Sequence, residues 1–183
     1  MSVFPEHEWP LDADGYPHRA AGRCAVFNSR GQLLLILGHD ADKPDYRWWF
    51  TPGGGLEAGE SPAQGAAREL AEETGLQVDP SRMVGPVLDR RSTFYFYRQT
   101  RKQDELFFIL HVNEDEEALI DARAGAQLTE LEKEVLDDMR WWDLDELAAV
   151  ENDGELVFPV GLVDMARGWR HGWNGELIRA IEE

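Results

Sequence analysis

Arg68, Glu69, Glu72 and Glu73 set three carboxylates and one guanidinium within six consecutive residues, the carboxylates at i, i+3 and i+4. On a helix these acids share one face, where like charges repel by a few tenths of a kcal/mol per pair. A hard divalent cation relieves that repulsion, and oxygen-only ligands suit Mg2+ or Mn2+, which bind carboxylates and substrate phosphates together. Arg68 can hold one carboxylate through a bidentate pair. Read alone, the run also fits a solvated acidic face.

The helix that would carry these groups is legible locally. Ser61 is an N-cap, Pro62 suits N1, Gln64 completes a capping box and Gly75 offers a left-handed stop, so a helix is predicted from about Pro62 to Thr74. Upstream, Trp48-Trp49-Phe50 runs into Pro52-Gly53-Gly54-Gly55, a turn whose backbone can approach a cation or phosphate closely.

Together these residues fill every fixed position of G-x5-E-x7-R-E-U-x-E-E-x-G-U, where U is aliphatic: Gly54, Glu60, Arg68, Glu69, Leu70, Glu72, Glu73, Gly75 and Leu76. This resembles the Nudix box, the signature of hydrolases that cleave nucleoside diphosphates linked to another moiety. The resemblance implies Glu72 and Glu73 as main ligands of Mg2+ or Mn2+, and Glu69 as a further ligand or the base for attacking water. It implies a backbone carbonyl ligand from Gly53 or Gly54, orientation of the glutamates by Arg68, and bracing of the loop by Glu60. A late carboxylate is also implied; Glu130, Glu132 and Glu134 are the candidates, with Glu132 preferred. The expected activity is hydrolysis of a pyrophosphate linkage in a small phosphorylated nucleotide by water attack. The alternative is a regulatory Nudix-like module that binds nucleotide without turnover, whose usual sign is an eroded box; this box is intact.

Composition bounds the rest. A chain of 183 residues, 43% hydrophobic and 10% aromatic, fits one domain with a sizeable core. Net charge of −18 repels polyanions, so duplex nucleic acid is not expected as a partner. No apolar run is long enough for a membrane span and the N-terminus has no signal pattern, so a cytoplasmic protein is expected. Cys24, the one cysteine, sits in an apolar stretch and reads as core.

Along the chain, residues 1–18 read as an irregular arm, with a turn at Asp12-Ala13-Asp14-Gly15. Arg23 to Asn28 and Gln32 to Gly38 read as a hairpin, followed by a polar loop from His39 to Tyr46. Strands are expected at Met83 to Leu88, Arg91 to Arg98, Glu105 to Val112 and Arg140 to Asp143, with a turn at Arg101 to Asp104. Asn113 to Gln127 reads as a surface loop, Leu144 to Val150 as a short helix and Pro159 to Trp169 as a closing helix. Mixed strands with helices on both faces imply an α/β fold, a Nudix-like three-layer α/β/α sandwich. Tyr95, by strand alternation, and Arg91, in a patch with Arg90, Arg98 and Arg101, are candidate substrate contacts. Trp169 and Trp173 suggest an apolar patch through which a homodimer could form.

Overall fold

The structure is a computed structural model that describes residues 8–96 and 98–183. Strands β1 (His18–Phe27), β2 (Leu33–Asp40), β3 (Lys43–Phe50) and β4 (Gly53–Gly55) precede helix α1 (Pro62–Thr74). A long hairpin follows, β5 (Val84–Phe96) and β6 (Gln99–His111), then helices α2 (Glu114–Ala122) and α3 (Glu130–Val135). The chain ends with β7 (Leu136–Trp142), α4 (Leu144–Asn152), β8 (Leu156–Val157), α5 (Leu162–Trp169) and β9 (Ile178–Glu182).

The strands form one sheet in the order β8-β3-β2-β1-β6-β5-β9, with β4 paired to β1 and β7 to β2. It is mixed: β1 runs parallel to β6, as do β3 to β8 and β5 to β9, while β5 and β6 are antiparallel. Period-two alternation along β1 divides its side chains between two cores. Cys24 and Val26 join Ala66, Leu70 and Ile120 beneath α1 and α2; Ala25 and Phe27 join Leu147, Leu162 and Trp169 beneath α4 and α5. The result is the three-layer α/β/α sandwich that the strand and helix pattern implied.

Contact between α1 and β1 is direct backbone packing. A Cβ on Gly22 would lie 2.1 Å from the Pro62 carbonyl oxygen, so the helix start rests on a strand position with no side chain. The turn at Asn28 to Gly31 is present, closed by the Gly31 amide donating to the Asn28 carbonyl at 3.0 Å. At the other expected turn, Asp12 Oδ1 accepts from the amides of Asp14 and Tyr16, both at 2.9 Å.

Four local expectations are corrected. His39 to Tyr46 is largely strand, because β2 and β3 pair almost to the bend at Ala41-Asp42. Val84 to Phe96 is one continuous strand, and the hairpin reverses beside Arg98 at φ 60° instead of at Arg101 to Asp104, which lie within β6. The segment expected as a loop contains α2, whose cap is a reciprocal pair between Asn113 and Glu116. Strand β9 was unforeseen. Trp169 is buried, and Trp173 packs against the same core, so neither supplies the exposed apolar patch expected for pairing. Among the described residues, no helix is long and apolar enough to cross a membrane.

Candidate active site

The helix bearing the acids forms for the local reasons given above. Ser61 accepts from the Gln64 amide while the Gln64 side chain accepts from the Ser61 amide, Pro62 occupies the first turn, and Gly75 at φ 85° closes the helix onto the Ala71 carbonyl. Ala66, Ala67 and Leu70 face the sheet, which leaves Glu69 and Glu73 at the rim where α1 meets β4.

Arg68 joins loop to helix. Its Nε and Nη2 hold both oxygens of Glu60 at 2.9 and 3.1 Å, and Nη2 also donates to the Gly55 carbonyl at 2.8 Å. Its Nη1 donates to Glu69 at 3.0 Å and to Glu72 at 3.2 Å. Burial alone would lower the Arg68 pKa, but Glu60 and Glu69 outweigh it and raise the value. Glu60 is brought below the usual carboxylate range: burial opposes this, and the hydrogen bond from Arg68 prevails.

Glu69, Glu73 and Glu132 converge, each offering a carboxylate oxygen within 4.8 Å of the others. Gly54 makes this possible, since a Cβ there would lie 2.6 Å from the Glu69 carboxyl carbon. The Gly53 amide donates to Glu73 at 3.1 Å. Glu73 is only 4% exposed, so this face of the helix is not the solvated acidic face that the run would also fit. Burial first, and the charge of Glu69 second, push its carboxyl well above the usual range. Glu69 is likewise raised by burial, against the opposing influence of Arg68. Three partly desolvated acids at this spacing are electrostatically costly alone and fit a hard divalent cation.

Glu132 arrives from a distant part of the chain. The Gln127 amide donates to the Glu72 carbonyl at 2.6 Å, anchoring the segment before α3, and Thr129 caps α3 by a reciprocal pair with Glu132. Glu130 and Glu134 are exposed, and Glu130 is paired with Lys133 at 2.7 Å. Of the late acids considered, Glu132 is the one brought to the cluster. Glu72, one of the two main ligands implied by the box, is half-buried, held by Arg68 and outside the three-carboxylate group.

Beside this rim lies a cavity of about 910 Å3, bordered by Arg19, Arg23, Trp48, Phe50, Arg90 and Phe94 among others. Tyr95 is at its edge, 51% exposed, with the Lys43 ammonium 5.3 Å above its ring. Arg91 is exposed and does not line the cavity; Arg90 does. Arg98 pairs with Asp42, and Arg101 lies under Trp9 at 4.9 Å, so the basic patch read from the sequence is divided among separate environments. Tyr97 lies outside the described residues.

Sequence reasoning missed Arg19, Arg23, Gln103 and Glu105. Arg19 stacks 4.0 Å from the Trp9 ring and donates to Gln103 at 2.7 Å; burial, then the charge of Arg23, lowers its pKa to about 10. Arg23 donates to Glu105 and to the carbonyls of Thr51 and Gly53 at 3.1 and 3.2 Å. The available signal was period two: Arg19, Ala21 and Arg23 in β1, and Arg101, Gln103 and Glu105 in β6, recur at alternate positions.

The described NUDIX domain matches residues 16–159 of the chain. At 32% identity over 114 residues, the chain is similar to diphosphoinositol polyphosphate phosphohydrolase 2 of Rattus norvegicus, the match covering 62% of this chain and 56% of that protein. The human protein of the same name matches to the same extent. The chain thus spans just over half the length of these relatives. In fold it resembles the MutT protein of Methanosarcina mazei Go1, with TM-score 0.54 and 21% identity, over 83% of this chain and 92% of that one. It also resembles an ADP-ribose pyrophosphatase of Streptococcus suis 89-1591, with TM-score 0.52 and 15% identity, over 88% and 98%. With every fixed position of the box filled and a domain match across most of its length, the chain belongs to the Nudix family.

Proposed function

We propose that this protein is a divalent-cation-dependent hydrolase that cleaves the pyrophosphate linkage of a nucleoside diphosphate derivative by water attack, releasing a nucleotide and a phosphorylated remainder. The observation that carries this reading is the convergence of Glu69, Glu73 and Glu132 within 4.8 Å beside the glycine strand β4.

Glu69, Glu72, Glu73, Glu132 and a carbonyl of Gly53 or Gly54 would hold Mg2+ or Mn2+. Bound there, the cation supplies charge neutralisation of the diphosphate and acidification of a water. Arg68 fixes the directions of Glu69 and Glu72, and through Glu60 and Gly55 it keeps loop and helix in register. Glu69 takes the proton of the attacking water. The Gly53 amide orients Glu73.

The cavity supports an aromatic ring as the remaining moiety. Trp48, Phe50, Phe94 and Tyr95 border it, surfaces on which a base stacks. Two of its cations, Arg23 and Arg90, are already neutralised by Glu105 and Glu182. That balance favours a nucleotide over a densely phosphorylated inositol, the substrate class named for the relatives. The test is incubation with Mg2+ or Mn2+ and a panel of nucleoside triphosphates, nucleotide sugars, ADP-ribose, dinucleoside polyphosphates and an inositol pyrophosphate, scored by phosphate released after phosphatase treatment. Cleavage of a nucleotide substrate is expected. Cleavage of the inositol pyrophosphate alone would overturn the substrate class, and nucleotide binding without turnover would return the chain to the regulatory alternative.

A further inference from the structure

The cavity floor holds a buried chain of alternating charges. Glu105, whose side chain has no exposed surface, accepts from Arg23 on one oxygen and from Arg90 on the other, and Gln103 adds a third donor at 2.6 Å. Arg90 also pairs with Glu182 of β9, and Glu182 in turn accepts from the Val160 amide at 3.0 Å. Two cations and two anions cancel, and the side chains of Arg23, Arg90 and Glu182 are no more than 17% exposed. At its far end, Arg23 Nη1 donates to the carbonyls of Thr51 and Gly53, the residue whose amide holds Glu73.

A purely structural need at this place would be met as well by apolar side chains, because desolvating charges offsets most of their mutual attraction. What apolar residues could not do is donate from one nitrogen, Arg23 Nη1, to two backbone carbonyls while Nε of the same rigid plane is held by Glu105. The Cys24 amide, donating to Pro52 at 3.0 Å, holds the residue between those carbonyls, so the turn is fixed at three successive residues from β1.

We propose that Arg23, Glu105, Arg90 and Glu182 form a positioning relay. It sets the Thr51 to Gly53 turn against Glu73, and makes the last strand of the chain part of what shapes the cation site. Glu105 holds the Arg23 fork in plane, Arg90 holds Glu105 from the opposite side, and Glu182 holds Arg90. None of the four touches the reacting atoms. The inference rests on the reading of Glu69, Glu73 and Glu132 as a cation site.

The experiment uses the full chain and titrates Mn2+ by electron paramagnetic resonance, with circular dichroism to verify folding and kcat and KM measured on the substrate that the panel identifies. Glu105→Gln and Arg23→Lys should each weaken Mn2+ binding by about tenfold, the effect of losing a group that orients metal ligands, and lower kcat with KM little changed. Glu182→Gln should weaken Mn2+ in the same direction although it lies on the opposite side of the cavity floor. Combined with Arg23→Lys it should add less than its separate effect, the mark of residues acting as one unit. Should Glu105→Gln fail to fold, this second pair decides alone. Wild-type Mn2+ affinity and kcat in folded Arg23→Lys, or strictly additive effects in the double variant, would overturn the relay. Glu73→Gln is the control: loss of Mn2+ there with no change in Arg23→Lys and Glu182→Gln condemns the relay only. Unchanged Mn2+ binding in Glu73→Gln condemns the cation site and the relay with it.

Discussion

Glu73 is nearly devoid of exposed surface and Glu69 lies beside it, so the carboxylates proposed to hold a cation also burden the protein when none is bound. Replacing Glu73 by Gln removes one buried charge while keeping an acceptor for the Gly53 amide. Turnover should fall by about 100-fold or more, as expected for a ligand when even supporting groups cost 10- to 100-fold. The metal-free variant should melt no lower than wild type, because an ionised carboxylate has left a desolvated place. Thermal melts without cation, paired with initial rates, check both halves; a variant destabilised without cation and catalytically unimpaired would contradict the assignment. The box residues were legible because their identity and spacing lie within one local segment. Glu132 required a guess, since its approach depends on the Gln127 to Glu72 contact across the chain. Arg23 and Glu105 were hidden by their type: a charge inside a strand reads as turn or surface until its partner from another strand is known.

The helix α1 sits on β1 through Gly22, where a side chain would intrude on the Pro62 carbonyl and the Ala66 amide. Gly22→Ala should therefore destabilise by about 1–3 kcal/mol through overpacking and lower the melting temperature in a differential scan. An unchanged melting temperature would mean that helix and strand are not seated as described. The elements that the sequence disclosed are those with strong local rules: α1 with its capping box and glycine stop, and the apolar run of β2. Those it concealed lacked them. Helix α2 buries only Glu117 and Ile120, so its apolar stripe is too thin to announce a helix, although the Asn113 and Glu116 cap was there to be read. In β6, Arg101 and Gln103 are buried polar residues that imitate a turn, which displaced the expected reversal from Arg98. Strand β9 is a short edge partner of β5, and its five residues gain their place from that pairing, from Ile178 and Ala180 against the core and from the Arg90 pair with Glu182, all of which depend on distant parts of the chain.

Across the entire protein, acidity and burial pull stability in opposite directions with pH. For Glu69 and Glu73, raised in the folded state above the usual 4.5, the stabilising contribution of the protonated form is present below pH 4.5 and lost as pH rises through the higher folded values. Glu105 behaves oppositely. Burial would raise it, but Arg23 and Arg90 outweigh that and depress it, so its contribution is present above 4.5 and lost as pH falls through the lower folded value. Without cation, the melting temperature should decline from weakly acidic toward neutral pH; Mg2+ or Mn2+ should recover it, with an increment that grows with pH because ligands must be deprotonated. An increment independent of pH, or equal in Glu73→Gln, would place the bound cation elsewhere on a surface of net charge −18. The most direct measurement is the anomalous scattering map of a crystal soaked in Mn2+. A peak between the carboxylates of Glu69, Glu73 and Glu132 is expected, absent in crystals of Glu73→Gln; no peak there, or one that persists in the variant, would contradict a catalytic cation on this helix.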